Sequence, residues 1–230
     1  MIYITGDTHG DFTRLITFCK ENETSINDIM IILGDVGVNY FGKWKDQKKK
    51  CQLSELPITV FCIHGNHENK TSNIITYEQK RWNGGEVYFE QLYPNILFAM
   101  DGEVFNLGIL KVMVIGGAYS VDKFYRLWNG YGWWEDEQPS DIIKAYVELQ
   151  LASLDNKVDV VLSHTCPLKY EPVEVFLSFI DQTTVDKSTE IWLDTIESNL
   201  EYKKWYCGHY HVEKVIDKMK FLFESIVEFI

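Results

Sequence analysis

Carboxylate, carboxamide and imidazole side chains occur in this sequence in short bursts, each directly after an apolar run. Asp7 and His9 follow Ile2-Tyr3-Ile4-Thr5, and Asp35 follows residues 29–33. Asn66 and His67 follow residues 58–63, His164 follows residues 158–162, and His209 and His211 follow Trp205-Tyr206-Cys207. An aspartate and a histidine two apart at the end of a strand point to one side, so Asp7 and His9 can share an ion. A mixed set of carboxylate, imidazole and amide oxygen suits Mn²⁺, Fe or Zn²⁺, and the lack of cysteine in it argues against a structural zinc site. Each group alone has an ordinary explanation. His164 could cap a turn, His209 and His211 could be strand residues on one face, and Asn66 could be a left-handed turn residue beside Gly65. Together these explanations need five coincidences at five strand ends, and as a set they are rejected. Of the six histidines only His64 falls outside the pattern. It is read as structural, and Glu68 as a hydrogen-bond acceptor for the local backbone.

The five apolar runs are short and continuous, which marks buried strands. Open α/β sheets bind ligands beyond the carboxyl ends of their strands, so five such ends describe one pocket. Asp11 is placed to cap a helix whose apolar face is Phe12, Leu15, Ile16 and Cys19, the spacing of a single helical stripe. Residues 34–42 are too glycine-rich for a helix, and a second helix is expected over 43–52. This β-α-β-α-β opening predicts parallel pairing with right-handed crossovers. Residues 95–99, 104–107 and 110–115 read as short strands, with Asp101-Gly102 and Gly108 as hairpin turns. Strand signals recur over 212–216, 221–223 and 226–229, and helices are expected after Ser140 and over 191–200. Residues 116–134 fit no scaffold need, being rich in aromatics and holding one of the three arginines. They read either as a loop packed on its own rings or as a substrate wall whose Lys123 or Arg126 grips phosphate.

The length of 230 residues and a hydrophobic share of 46% support one globular domain over residues 1–230. No apolar stretch approaches a membrane span, and no signal peptide is read, since the first strand begins almost at Met1. The five cysteines form no C-x-x-C pair and are read as reduced thiols of a cytoplasmic protein. A formal charge of −12 disfavours nucleic acid as a partner.

Gly6-Asp7-Thr8-His9-Gly10, Gly34-Asp35, Gly65-Asn66-His67-Glu68, Ser163-His164 and Gly208-His209-Tyr210-His211, in this order, resemble the calcineurin-like metallophosphoesterase superfamily. The likeness runs from Asp7 to His211. It implies an α/β (α+β) fold of two packed mixed sheets flanked by helices, a four-layer sandwich. It implies a first metal held by Asp7, His9, Asp35 and His211, and a second held by Asp35, Asn66, His164 and His209, with Asp35 bridging. The implied reaction is hydrolysis of a phosphomonoester or phosphodiester by in-line attack of a metal-bridging hydroxide, with His67 as acid for the leaving oxygen. In the family's Ser/Thr protein phosphatases an aspartate three residues after the bridging one orients that histidine, and an arginine follows it. Here Val38 and Asn39 stand in those places, which favours a small phosphorylated substrate over a protein and leaves Asn39 as a weak substitute. A nuclease of the same superfamily, or a metal-retaining binding module without turnover, are the alternatives. Oligomeric state is not read from the sequence.

Overall fold

The computed structural model describes residues 1–229, except for the side chain of Lys43. The chain opens with β1 (Ile2–Thr5), α1 (Thr13–Glu21), β2 (Ile29–Ile32), α2 (Lys43–Ser54) and β3 (Thr59–Cys62). There follow β4 (Glu78–Trp82), β5 (Gly85–Glu90), β6 (Tyr93–Ala99), β7 (Val104–Leu107) and β8 (Leu110–Ile115). The second half contains α3 (Lys123–Asn129), α4 (Asp141–Ser153), β9 (Val160–Ser163), α5 (Ser188–Asn199) and β10 (Lys204–Cys207). It closes with β11 (Lys214–Ile216), β12 (Met219–Phe221) and β13 (Val227–Glu228).

These strands form two mixed sheets. One runs β13-β1-β2-β3-β6-β5-β4, the other β11-β12-β10-β9-β8-β7. The three opening strands pair in parallel, as do β8, β9 and β10. Alternation along β2 shows why the apolar runs are continuous. Ile31 faces the core shared by the two sheets, with Phe61, Val114, Leu162 and Tyr206. Met30 and Ile32 face the opposite way, against Phe12, Leu15 and Cys19 near and on α1 and Leu53 of α2. The second sheet likewise packs Met113, Val161 and Trp205 against Val147 and Leu151 of α4 and Leu193 of α5. A strand buried on both faces has no polar side to show. The result is four layers, helix, sheet, sheet, helix.

Two local expectations are corrected and one hairpin is added. Asp101-Gly102 is not a hairpin turn, because β6 belongs to the first sheet and β7 to the second; the turn carries the chain between them. The β4–β5 hairpin went unread because Glu78, Gln79, Lys80 and Arg81 form a polar edge strand without an apolar run. Its turn signal was present in Asn83-Gly84, both left-handed at φ 46° and 92°. The first helix starts at Thr13 with Phe12 as its cap residue, and Asp11 sits one step earlier, accepting from the Thr13 N–H at 3.0 Å.

Candidate active site

The candidate metal ligands and His67 come together at the carboxyl ends of β1, β2, β3, β9 and β10. Asp7, Asp35, Asn66 and His164 are buried, while His9 and His211 stand at the mouth. Asp7, His9 and His211 offer ligand atoms within 4.8 Å of one another, and so do Asp7, Asp35 and His164. His9, Asp35 and His67 make a third such group. Glycines let the backbone close in. A Cβ on Gly65 would lie 2.0 Å from Asp35 Oδ1, and one on Gly34, at φ 103°, would lie 2.1 Å from His164 Nδ1. His9, Asp35, His209 and His211 themselves have left-handed backbones, φ 46°, 47°, 64° and 49°. Such conformations cost a non-glycine residue on the order of 1–3 kcal/mol each, and they persist only where the surroundings enforce them.

The acceptors in this cluster face each other. The Nδ1–H of His164 donates to the Leu33 carbonyl at 2.7 Å, which leaves the Nε2 lone pair pointing at Asn66 Oδ1, 2.8 Å away. His209 Nδ1 lies 3.1 Å from that same oxygen. The Asn66 amide is oriented by its own donor, since Nδ2 bonds Ser120 Oγ at 2.9 Å. His9 Nε2 and His211 Nε2 are 3.0 Å apart, and His211 Nε2 is 3.2 Å from the buried Asp7 Oδ2. Opposed acceptors at these distances need a cation or shared protons between them, so the donor set fits divalent metal.

The titration of the groups agrees. Burial works to raise Asp35, but His164, His67 and His9 around it prevail and hold it below the ordinary carboxylate range. Asp7 is lowered too, with burial opposed by its bond to His211 and by His164. Burial, with His164 nearby, drives His209 down to about 3. The bond to Asp7 raises His211, and burial lowers His67. Ionised carboxylates beside a neutral His209 are in the protonation state a metal requires.

His67 lies at the mouth, its N–H donating to Asp35 Oδ1 at 2.7 Å. Its ring stacks on Tyr40 at 5.8 Å, and Nε2 is 3.6 Å from Asp122 Oδ1, an ion-pair distance. Tyr40 and Asp122 therefore hold the ring where Val38 and Asn39 do not, and neither residue was singled out in the sequence. Val38 is buried in the helix-side core, and Asn39 bonds the Tyr77 hydroxyl. Glu68 accepts from the Gly65 N–H at 2.8 Å, as expected, and His64 is buried beside Thr71.

Arg126 and Lys123 do not reach the cavity. The segment read as a self-packed loop or a substrate wall contains α3, and Arg126 is 1% exposed within it. Its Nε donates to the Gly132 carbonyl at 2.8 Å and its Nη1 to Ser120 Oγ at 2.7 Å, while Ser120 Oγ donates to Glu137 at 2.5 Å. Arg126 thus braces the serine that orients Asn66. Lys123 Nζ lies 4.0 Å over the Trp133 ring. Asn39, by its bond to Tyr77, also faces away. Arg126→Ala is expected to cost about 3 kcal/mol by leaving buried partners unpaired. That corresponds to a fall in Tm of roughly 6–12 °C by calorimetry for a chain of this size. A substrate-gripping role would instead leave Tm unchanged. Ser120 and Glu137 carried no signal in the sequence, because their roles arise from contacts between distant segments.

A cavity of about 450 Å³ opens from this mouth, and its lining includes His9, Asp35 and His67 together with Glu171, Asp186 and Glu190. Glu190 is 4% exposed, and burial raises its pKa to about 7. The folded protein therefore keeps a proton that the unfolded chain gives up near pH 4.5. Stability falls as pH climbs from about 4.5 to about 7 and stays lower above that. Glu190→Gln is expected to raise stability at pH 8, on the order of 3 kcal/mol, and to leave it nearly unchanged at pH 4.5. Thermal melts at the two pH values check this.

Among known proteins, an uncharacterized protein of Haemophilus influenzae is 35% identical over 108 residues, 47% of this chain and 42% of its own length. The matched part is thus less than half of that relative. The crystal structure of TT1561 of Thermus thermophilus is similar at 12% identity, with a TM-score of 0.49 over 90% of this chain and 80% of its own. A second crystal structure shares the fold with a TM-score of 0.52 at 14% identity, over 96% of this chain and 88% of its own. The sequence profile of the calcineurin-like phosphoesterases matches residues 1–213, nearly the whole chain, and the protein belongs to that family.

Proposed function

We propose that this protein is a dinuclear-metal hydrolase of small phosphate esters. Asp7, His9, Asp35 and His211 would hold one divalent ion, and Asp35, Asn66, His164 and His209 the other. Ions of Mn, Fe or Zn held there would supply Lewis-acid stabilisation of the phosphoryl oxygens and an acidified water as nucleophile. Asp35 carries the charge common to both sites, and Gly65 and Gly34 leave room for it and for His164. His67, steadied by Tyr40 and Asp122, is placed to hand a proton to the departing ester oxygen. The facing acceptors of His164, Asn66 and His209, with Asp7 Oδ2 buried beside His211 Nε2, carry this reading.

The size of the cavity suits a small molecule, and among the described residues neither Lys nor Arg lines it. With the charge of −12, that disfavours a nucleic-acid substrate and hence the nuclease alternative. No helix among the described residues is long and apolar enough to cross a membrane, and all five cysteines are free, which suits a cytoplasmic setting. Elemental analysis of the purified protein, paired with assays on mono- and diester panels with Mn²⁺ or with chelator, tests the proposal. Up to two ions per chain and chelator-sensitive hydrolysis are expected. Protein that takes up no transition metal would defeat it.

A further inference from the structure

The cavity that holds the candidate ligands also has an apolar wall. Val121, Val175, Phe176, Leu177, Ile180 and Val185 line it together with His9, Asp35, His67 and His209. Five of those six apolar residues come from the stretch 171–187, whose regular structure is limited to two single 3₁₀ turns, Val173–Val175 and Gln182–Thr184. Phe176 ties this stretch to the ligand set, because its ring stacks on Tyr210 at 6.2 Å with the planes 17° apart. Tyr210 stands between His209 and His211 in the chain, and its ring meets that of His209 at 4.9 Å. The apolar wall therefore adjoins the imidazoles. It is also accessible, with Val121, Val175 and Leu177 37%, 39% and 50% exposed. Scattered exposed apolar side chains are ordinary, but six around one concave site are not. An apolar group that enters releases the water held against them, which is favourable. The polar groups of the stretch are largely engaged elsewhere. Glu171 is paired with Lys187 at 2.6 Å, and Asp186 accepts from Gln138 and from the Ser188 N–H, each at 2.9 Å.

We infer that the substrate's leaving alcohol is apolar, an alkyl or aryl alcohol several carbons long, and that Val121, Val175 and Leu177 select for it. The phosphate end of this assignment rests on the phosphoesterase reading; the alcohol end rests on the wall itself. A sugar or nucleoside is a poorer fit, because its hydroxyls would lose water against aliphatic surface. A polyphosphate is poorer still, since among the described residues no Lys or Arg lines the cavity to meet its further charge.

Ethyl, butyl and hexyl phosphate, assayed with Mn²⁺, test this directly. Their leaving alcohols have nearly the same acidity, so the demand of the chemical step is level and chain length reports contact alone. Burial of each added methylene is expected to raise kcat/KM roughly fourfold, and glycerol 1-phosphate should fall well below the butyl ester. Replacing the exposed pair together, Val175→Ser with Leu177→Ser, should cut the hexyl-over-ethyl ratio by about fivefold or more with the melting temperature unchanged. Equal efficiency on ethyl and hexyl phosphate would overturn the inference. So would glycerol 1-phosphate at or above the butyl ester, or a hexyl-over-ethyl ratio unaltered in the double variant. Calorimetric titration of the Mn²⁺-treated protein with ethyl-, butyl- and hexylphosphonate separates the two levels, because a carbon–phosphorus bond resists hydrolysis. If phosphonate affinity climbs with chain length and no ester is cleaved, the phosphoesterase reading fails and the apolar wall keeps its assignment. If the esters are cleaved and neither affinity nor rate follows chain length, the reverse is true.

Discussion

Asp35→Asn is expected to empty both candidate metal positions together and to lower the rate of ester hydrolysis by roughly 10³-fold. The carboxylate is the one group that both proposed ligand sets share, and His164, His67 and His9 all favour its ionised form. Asparagine fits the same space and keeps an oxygen to accept from the His67 N–H, 2.7 Å away in the native protein. What it removes is a full negative charge in a buried setting. Transition-state stabilisation by metal amounts to several kcal/mol, and each 1.36 kcal/mol is tenfold in rate. Elemental analysis and kinetics on the same preparation check both halves. A variant that keeps two ions and full activity would refute the shared-ligand arrangement.

His67→Ala should separate substrates by the quality of their leaving group. A general acid contributes about 10²–10⁴-fold where the departing oxygen needs a proton. An alkyl phosphate is such a case, whereas p-nitrophenolate departs as an anion. The variant is therefore expected to lose that factor on alkyl esters and far less on p-nitrophenyl phosphate, with metal content unchanged. The ring has the access this requires, since its side chain is 28% exposed at the mouth while its backbone is tied to Asp35. Equal losses on both esters, measured in single turnover with chemistry limiting, would assign His67 to binding phosphate charge instead.

Residues whose environment is set locally were legible in the sequence. The strands that carry Asp7, Asp35, Asn66, His164 and His209 are buried on both faces, so each is an unbroken apolar run ending in glycine or a turn. The polar support of the site was not legible. Ser120, Asp122 and Glu137 matter because α3 and its flanks pack over Asn66 and His67, 54 residues away in the case of Ser120 and Asn66. Nothing in the aromatic segment distinguishes an arginine that grips substrate from one that braces a serine; only its burial does. Strand order was hidden for a similar reason. Local sequence marked β6 and β7 as strands but not the sheet each would join, and so Asp101-Gly102 looked like a hairpin.

The candidate ligands are divided between the two sheets. Asp7, His9, Asp35 and Asn66 follow strands of the first, and His164, His209 and His211 follow strands of the second. The closest ring pair across that divide, His9 with His211, spans 202 residues of chain. During synthesis, the early ligands would leave the ribosome long before the imidazoles that complete their sphere. With metal held as proposed, its loading would be a late maturation event, one that clamps the two halves of the sandwich after they have docked. Cells short of metal would accumulate finished chains whose halves are less firmly joined, and such chains should be cut faster by protease until metal is restored.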